Sequence, residues 1–292
     1  MFQRGGSSLQ TDLIIGMASG YTWPDLEPFA VSLRRCGYAG RCVLILGDGP
    51  QDDVAHYGEL HTSGSLLWGL EHYGIEVLTV GQFEEHPSIA RAYFVANFLN
   101  DHPGEFRYVA CVDTKDVVFQ TDPTEWLKYM PFDKSIVVVS EMMRYGEGDM
   151  AGNNLNMIQA FGQEAYDLLL GQEVVNGGVV AGRPTAMLDV ASNVYALCMQ
   201  DHRRRADFKP SYKDMLPDQS ALNILIRRSE FRDRTFITHP MDGFAFGHPL
   251  ARYSYFRDGA MYPAGASAPY AIFHQYFNTL EWWSGVREKY SA

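Results

Sequence analysis

The chain is short of positive charge, of cysteine and of uninterrupted apolar sequence, and each shortage argues against a class of function. Its 292 residues carry 24 lysines and arginines against 35 aspartates and glutamates, a formal charge of -11. Such a surface repels a polyphosphate backbone, so nucleic acid is not an expected partner. Cys36, Cys42, Cys111 and Cys198 are scattered without a C-x-x-C pair, and three of them lie in apolar segments. Neither a zinc site nor a disulfide framework is indicated, and reduced thiols of a cytoplasmic protein fit the pattern. The amino terminus, MFQRGGSSLQTD, has one arginine and no apolar stretch of signal-peptide length. No later window approaches the ~18 apolar residues of a membrane span, so the expectation is a soluble, unexported protein.

A composition 46% hydrophobic and 13% aromatic supports an ordinary packed core. The apolar runs DLIIGMA (12–18), CVLILG (42–47), IEVLTV (75–80) and RYVACV (107–112) read as parallel strands buried on both faces. Leu26, Phe29, Ala30 and Leu33 follow the i, i+3, i+4, i+7 rule of a helical stripe, and residues 52–73 and 88–100 read as two more helices. This βαβ alternation predicts a doubly wound α/β sheet, in which ligands bind beyond the carboxyl ends of the strands. In the second half, SIVVVS (135–140) and EVVNGGVVAG (173–182) read as strands, separated by a helical segment near 154–170. After Pro184, Met187, Val190, Ala191, Val194 and Cys198 mark a buried helical face, and another helix covers 216–226. Residues 240–271 lack periodicity and read as a long loop bordering a site. No repeat, charge block or linker divides the chain, so one domain is expected.

The segment YVACVDTKDVVFQTDP (108–123) concentrates the chemistry. Asp113 and Asp116 follow a strand, where aspartate serves equally as a turn residue. Asp116, however, is set between two apolar runs, and a carboxylate there needs a partner. Mg²⁺ and Mn²⁺ take one or two carboxylates, with substrate phosphate oxygens completing the shell. Asp122 precedes a proline at a first helical position and reads as a helix cap. His274 lies in the apolar YAIFHQYF, as a hydrogen-bonded core residue or a ligand. Asn176, Gly177 and Gly178 interrupt a strand, which marks a bulge or a close approach of another group. Asp218 can cap its helix, and Gln219 is a poor nucleophile. Arg91 is a solvated helix residue or reaches a ligand. Ala18, Ser19 and Tyr21 end the first strand, and Glu141 is another strand-end acid.

Four of these motifs together make the chain resemble the nucleotide-sugar glycosyltransferases of the GT-A fold, close to glycosyltransferase family eight and related bacterial and plant transferases. VDTKDVVFQTDP looks like their metal-binding D-x-D segment and VNGGVVAG (175–182) like their asparagine-glycine strand. LPDQSALN (216–223) looks like their D-Q helix start and IFHQYF (272–277) like their late histidine. The motifs span about 165 residues, and IGMASGYTWPDLEPFAVSLRRCGY matches the family's nucleotide-binding start. The usual acids are two apart; here they are three apart, as in a subset reading D-x-R-D, with Lys115 in place of the arginine. Which acid touches metal, and whether Lys115 pairs with a carboxylate, stay open at this level.

The resemblance implies a Rossmann-like GT-A domain over 1–292, with a mixed, mostly parallel sheet flanked by helices. Its nucleotide-binding half would cover about 1–125, and its donor-sugar and acceptor half about 126–292. It implies Mn²⁺ or Mg²⁺ on Asp113, Asp116 and His274. Ala18, Ser19 and Tyr21 would meet the uridine and Arg91 the nucleotide or its diphosphate. Asn176, Gly177 and Gly178 would border the donor sugar, Asp218 would bond its hydroxyls, and Gln219 would lie near the anomeric carbon. The implied reaction moves a hexose from a UDP-sugar to an acceptor hydroxyl, with retention, the acceptor being a glycan, a lipid-linked sugar or a small molecule. A sugar-phosphate nucleotidyltransferase would want a glycine-rich basic loop after the first strand, and MASGYTWPDL has one glycine and no lysine or arginine. A nucleotide-sugar-binding protein without turnover is the other alternative.

Overall fold

The computed structural model describes residues 10–48, 64–148, 152–202 and 217–291. The apolar runs of the first half fold as β1 (Thr11–Ala18), β2 (Arg41–Asp48), β3 (Glu76–Gln82) and β4 (Phe106–Val112). They alternate with α1 (Trp23–Arg35), α2 (Gly64–His72) and α3 (Pro87–Asp101). Helical crossovers favour parallel pairing, and β1 pairs in parallel with β2 and β4, as does β2 with β3. Then come β5 (Val117–Phe119), α4 (Pro123–Leu127), β6 (Ile136–Arg144), α5 (Asn153–Phe161), α6 (Gln163–Leu169) and β7 (Glu173–Gly182). They are followed by α7 (Pro184–His202), α8 (Pro217–Leu225), α9 (Ser229–Arg232) and β8 (Thr235–Thr238). Among the described residues the central sheet has seven strands in the order β3-β2-β1-β4-β7-β6-β8, and β7 runs antiparallel to both neighbours. The architecture is α/β, with a mixed, mostly parallel sheet between helices.

Strand alternation divides the core into two layers. Ile14 and Ala18 of β1 face a cluster with Leu26, Phe29, Ala30 and Leu33 of α1. Leu13, Ile15 and Met17 face the opposite layer, built from α3, α7 and α8. The stripe read from Met187 to Cys198 is buried there throughout. Ser32, buried in α1, accepts the Phe119 N–H at 3.0 Å and so ties β5 to the helix. A second, three-stranded sheet joins β5 to β9 (Ala245–Phe246) and β12 (Ile272–His274).

Several expectations need correction. IEVLTV forms β3, but at the sheet edge, and its pattern is mostly exposed instead of buried on both faces. The helix expected near 154–170 is two helices, because Gly162 turns the chain at φ +90°, a region glycine enters without strain. Of the helix expected over 52–73, residues 52–63 lie outside the described residues, as does Leu216 of the helix expected over 216–226. The 240–271 segment is not a structureless loop. It holds β9 and an antiparallel pair, β10 (Ser254–Arg257) and β11 (Ala260–Pro263), and buries Phe244, Phe246 and Tyr270. The chain closes with α10 (Leu280–Tyr290), packed against α1. No helix among the described residues is long and apolar enough to cross a membrane.

Candidate metal centre and adjoining cleft

Strand register brings the acids and the histidine together. β2 and β4 flank β1 on opposite sides, and a crevice opens at the carboxyl ends where connections diverge. β4 pairs Val112 with Val179 of β7, and the ladder runs one step further, the Asp113 N–H donating to Gly178 O at 2.7 Å. β5 then pairs antiparallel with β12, His274 opposite Val117. The Gln275 N–H donates to Asp116 O, and the Tyr276 hydroxyl to Lys115 O, both at 2.8 Å. Gln275 takes a left-handed φ of 63° to do so, uncommon outside glycine. Ligand-type atoms of Asp113, Asp116 and His274 all lie within 4.8 Å of one another. His274 Nε2 is 3.2 Å from Asp113 Oδ2 and 3.6 Å from Asp116 Oδ2, so both acids present an oxygen to it.

Two carboxylates so close repel, and the surroundings offset that. Arg91 is neither solvated nor free: its buried guanidinium donates to Asp113 Oδ1, to Gly177 O at 3.1 Å and to Asp218 Oδ2 at 3.2 Å. Burial alone would raise the Asp113 carboxyl, but Arg91 and the His274 hydrogen bond hold it well below the usual carboxylate range. Burial raises Asp116, with the Asp113 charge adding to the rise against the pull of His274. Burial disfavours a charged His274, yet Asp116 and Asp113 outweigh it and shift the imidazole upward. A proton on His274 and a divalent cation therefore compete for the same carboxylate oxygens.

The donor set fits a cation. Two carboxylates with an imidazole suit Mn²⁺, and the carboxylates alone suit Mg²⁺. The backbone leaves the space: a Cβ on Gly178 would lie 2.8 Å from His274 Nε2 and would overlap Asp113 Oδ2. Glycine there is what lets the two side chains meet over β7.

Beside the centre lies a cleft of about 280 Å³. Ser19 and Tyr21 line it after β1, and Arg91, Asp113 and Asp116 line its far side. Ala18 does not; it packs in the core on the α1 side, and strand alternation gives Met17 to the cleft instead. Sequence reading missed His86, Ser88 and Phe277, which also line it. His86 caps α3, its Nδ1 accepting the Ser88 N–H at 3.2 Å. The first turn of α3 thus edges the cleft, and its dipole favours negative charge there. A cap before a 15-residue helix was the available signal. Lys115 has a carboxylate partner after all: its Nζ is 3.4 Å from Asp25 Oδ1 and lies over the Tyr21 ring. Asp122 caps α4, accepting the Thr124 N–H at 2.8 Å.

The residues expected near a sugar form a separate buried cluster. Glu141 Oε1 accepts from Asn176 Nδ2 at 3.0 Å and Gln219 Nε2 at 3.2 Å, and Oε2 accepts from Asn153 Nδ2 at 2.5 Å. Gln219 Nε2 also donates to Asn153 Oδ1 at 2.6 Å, while its Oε1 accepts the Gly177 N–H at 2.9 Å. Asn176 and Gln219 do not line the cleft, and the gap between Glu141, Asn176, His274 and the β9 segment has no room for a water. Asn153 and Asn223 went unremarked in the sequence; Asn223 braces β7 by accepting the Val175 N–H at 2.9 Å and donating to Val175 O at 2.8 Å. Asp218 does face Arg91, across the wall of the cleft. No protein-family model and no curated protein sequence matches the chain.

Proposed function

We propose that the protein is a metal-dependent glycosyltransferase of the GT-A type that moves a hexose from a UDP-sugar to an acceptor hydroxyl, with retention. The observation that carries this reading is the meeting of Asp113, Asp116 and His274 within 4.8 Å beside a cleft at the carboxyl ends of β1 and β4. Asp113, Asp116 and His274 would hold Mn²⁺ or Mg²⁺, and Arg91 fixes Asp113 through the oxygen that does not face His274. A cation bound there would offset the negative charge that develops on the leaving diphosphate. The dipole of the first turn of α3 favours a diphosphate at the cleft edge, while Arg91 and Lys115 line the cleft already paired with Asp113, Asp218 and Asp25. Tyr21 offers a ring face for the base. Gln219 is a neutral amide held by three partners, so no covalent sugar intermediate on it is proposed.

A second reading, a nucleotide-sugar-binding protein without turnover, is favoured by one observation: Asn176 and Gln219 both donate to Glu141, accept from the Gly178 and Gly177 N–H groups, and lie away from the cleft. A panel of nucleotide sugars with Mn²⁺, monitored for nucleotide diphosphate release, separates the two. Transfer predicts Mn²⁺-dependent release that Asp116→Ala removes while the fold persists. Binding without release supports the second reading, and pyrophosphate release from a nucleoside triphosphate and a sugar phosphate would indicate a nucleotidyltransferase.

A further inference from the structure

Against Arg91 there is a second cavity, of about 50 Å³, that the metal centre does not use. It lies where α3, α7 and α8 meet over β4 and β7, and Ser88 and Arg91 line both it and the cleft. Most of its wall is apolar, with Ala92 and Val95 from α3, Val190 and Ala191 from α7, and Leu222 from α8. Asp218 is set into this wall with 7% of its surface exposed. Its Oδ2 takes Arg91, but its buried Oδ1 has no hydrogen-bond partner among the described residues. A buried carboxylate oxygen left unpaired is costly, and such groups in folded proteins are met by water, an ion or a ligand. Water would serve Oδ1 but gain nothing from the methyl groups opposite. A group that offers one N–H and carries a methyl satisfies both.

We propose that this cavity takes the acetamido group of an N-acetylamino sugar. The amide N–H donates to Asp218 Oδ1 and the methyl packs among Ala92, Val190 and Ala191. The carbonyl oxygen turns toward Arg91, which lines both the cavity and the cleft. Room for roughly three or four waters is also room for the four heavy atoms of an acetamido group. The proposal rests on the UDP-sugar reading and narrows its donor to an N-acetylhexosamine.

The test compares UDP-N-acetylglucosamine with UDP-glucose, and the galacto pair likewise, by calorimetry in the presence of Mn²⁺. Each pair differs only by acetamido against hydroxyl at one carbon. In the wild type the acetamido sugar should bind roughly tenfold tighter, the scale of an added apolar group in a fitted pocket. Ala191→Leu fills the cavity and should abolish that preference while UDP-glucose binds as before. Ala92→Leu, from the opposite wall, replaces it if Ala191→Leu does not fold. Equal affinity for both members of each pair in the wild type overturns the cavity assignment and leaves the UDP-sugar reading standing. Absence of binding by all four nucleotide sugars, with Mn²⁺ still bound, overturns both.

Discussion

Gly178→Ala probes the metal centre through the backbone without altering a ligand. Strand preference alone would welcome the change, since glycine in a strand interior costs ~0.5–1 kcal/mol relative to alanine. The surroundings reverse the sign. The new Cβ would lie 2.8 Å from His274 Nε2, where ordinary contact begins at 3.4 Å, and it would overlap Asp113 Oδ2. Asp113 Oδ2 and His274 Cε1 come closer still, so both side chains must retreat by more than half an ångström, and neither is a loose end. His274 is 3% exposed on a strand paired to β5, and Asp113 is held by Arg91. Overpacking of this kind costs ~1–3 kcal/mol. A metal site tolerates ligand displacements of ~0.2 Å, so Mn²⁺ affinity should fall at least ~10-fold, or ~1.4 kcal/mol. Titration calorimetry with Mn²⁺ and urea unfolding read the two effects. Gly81→Ala is the control, because a Cβ there meets nothing within 4 Å; it should leave Mn²⁺ affinity unchanged and lower stability not at all. Wild-type Mn²⁺ affinity in Gly178→Ala would refute the assignment of these side chains to one cation site.

Arg91→Met keeps an unbranched stem but ends before the guanidinium and cannot donate, leaving Asp113, Asp218 and Gly177 O without their shared partner. Urea unfolding should show a loss of ~3–5 kcal/mol, and a loss below ~1 kcal/mol would mean the bridge is not what holds these acids. Asp122→Ala removes the α4 cap and should cost ~1 kcal/mol, read by thermal unfolding; no change would rule out the cap as a stabilising contact. Asp25 accepts the Thr22 N–H at 2.9 Å and the Thr22 hydroxyl at 2.8 Å, and faces Lys115. Burial would raise its carboxyl, but these bonds and Lys115 together lower it. A depressed carboxyl contributes fully above its unfolded pKa and loses that contribution as pH falls through the folded one. The stability gap between wild type and Asp25→Asn should therefore shrink below about pH 4; a gap unchanged between pH 7 and 3 would contradict this.

Much of the fold was legible because buried parallel strands are apolar on both faces, as Leu13 and Ile15 against Ile14 illustrate. The same rule misled at β3, because IEVLTV carries no mark of being an edge strand; that depends on which strands pair elsewhere. The acids at 113 and 116 could be read as a pair, and their order and spacing matched a metal motif. What brings His274 to them, across about 160 residues, is the β5–β12 register, which the sequence does not spell out. The burial of Arg91 was readable as well. Ser88, Arg91, Ala92 and Val95 fall at i, i+3, i+4 and i+7, one helical face, and a charge on a buried face requires an internal partner.

The glycines of β7 show why a single local reading of this site falls short. The Gly178 N–H donates to Asn176 Oδ1 at 2.7 Å while Gly178 O accepts from Asp113. The Gly177 N–H donates to Gln219 Oε1 while Gly177 O accepts from Arg91. Every backbone polar group of the pair thus joins the metal centre on one side to the buried amide cluster on the other. A bulge and a close approach, which the sequence offered as alternatives to a binding role, describe only the space these residues leave. Their hydrogen bonds couple the two clusters. A displacement of Gln219 or Asn176, such as entry of a sugar beside them would require, must therefore act on Asp113 and Arg91 through two peptide units.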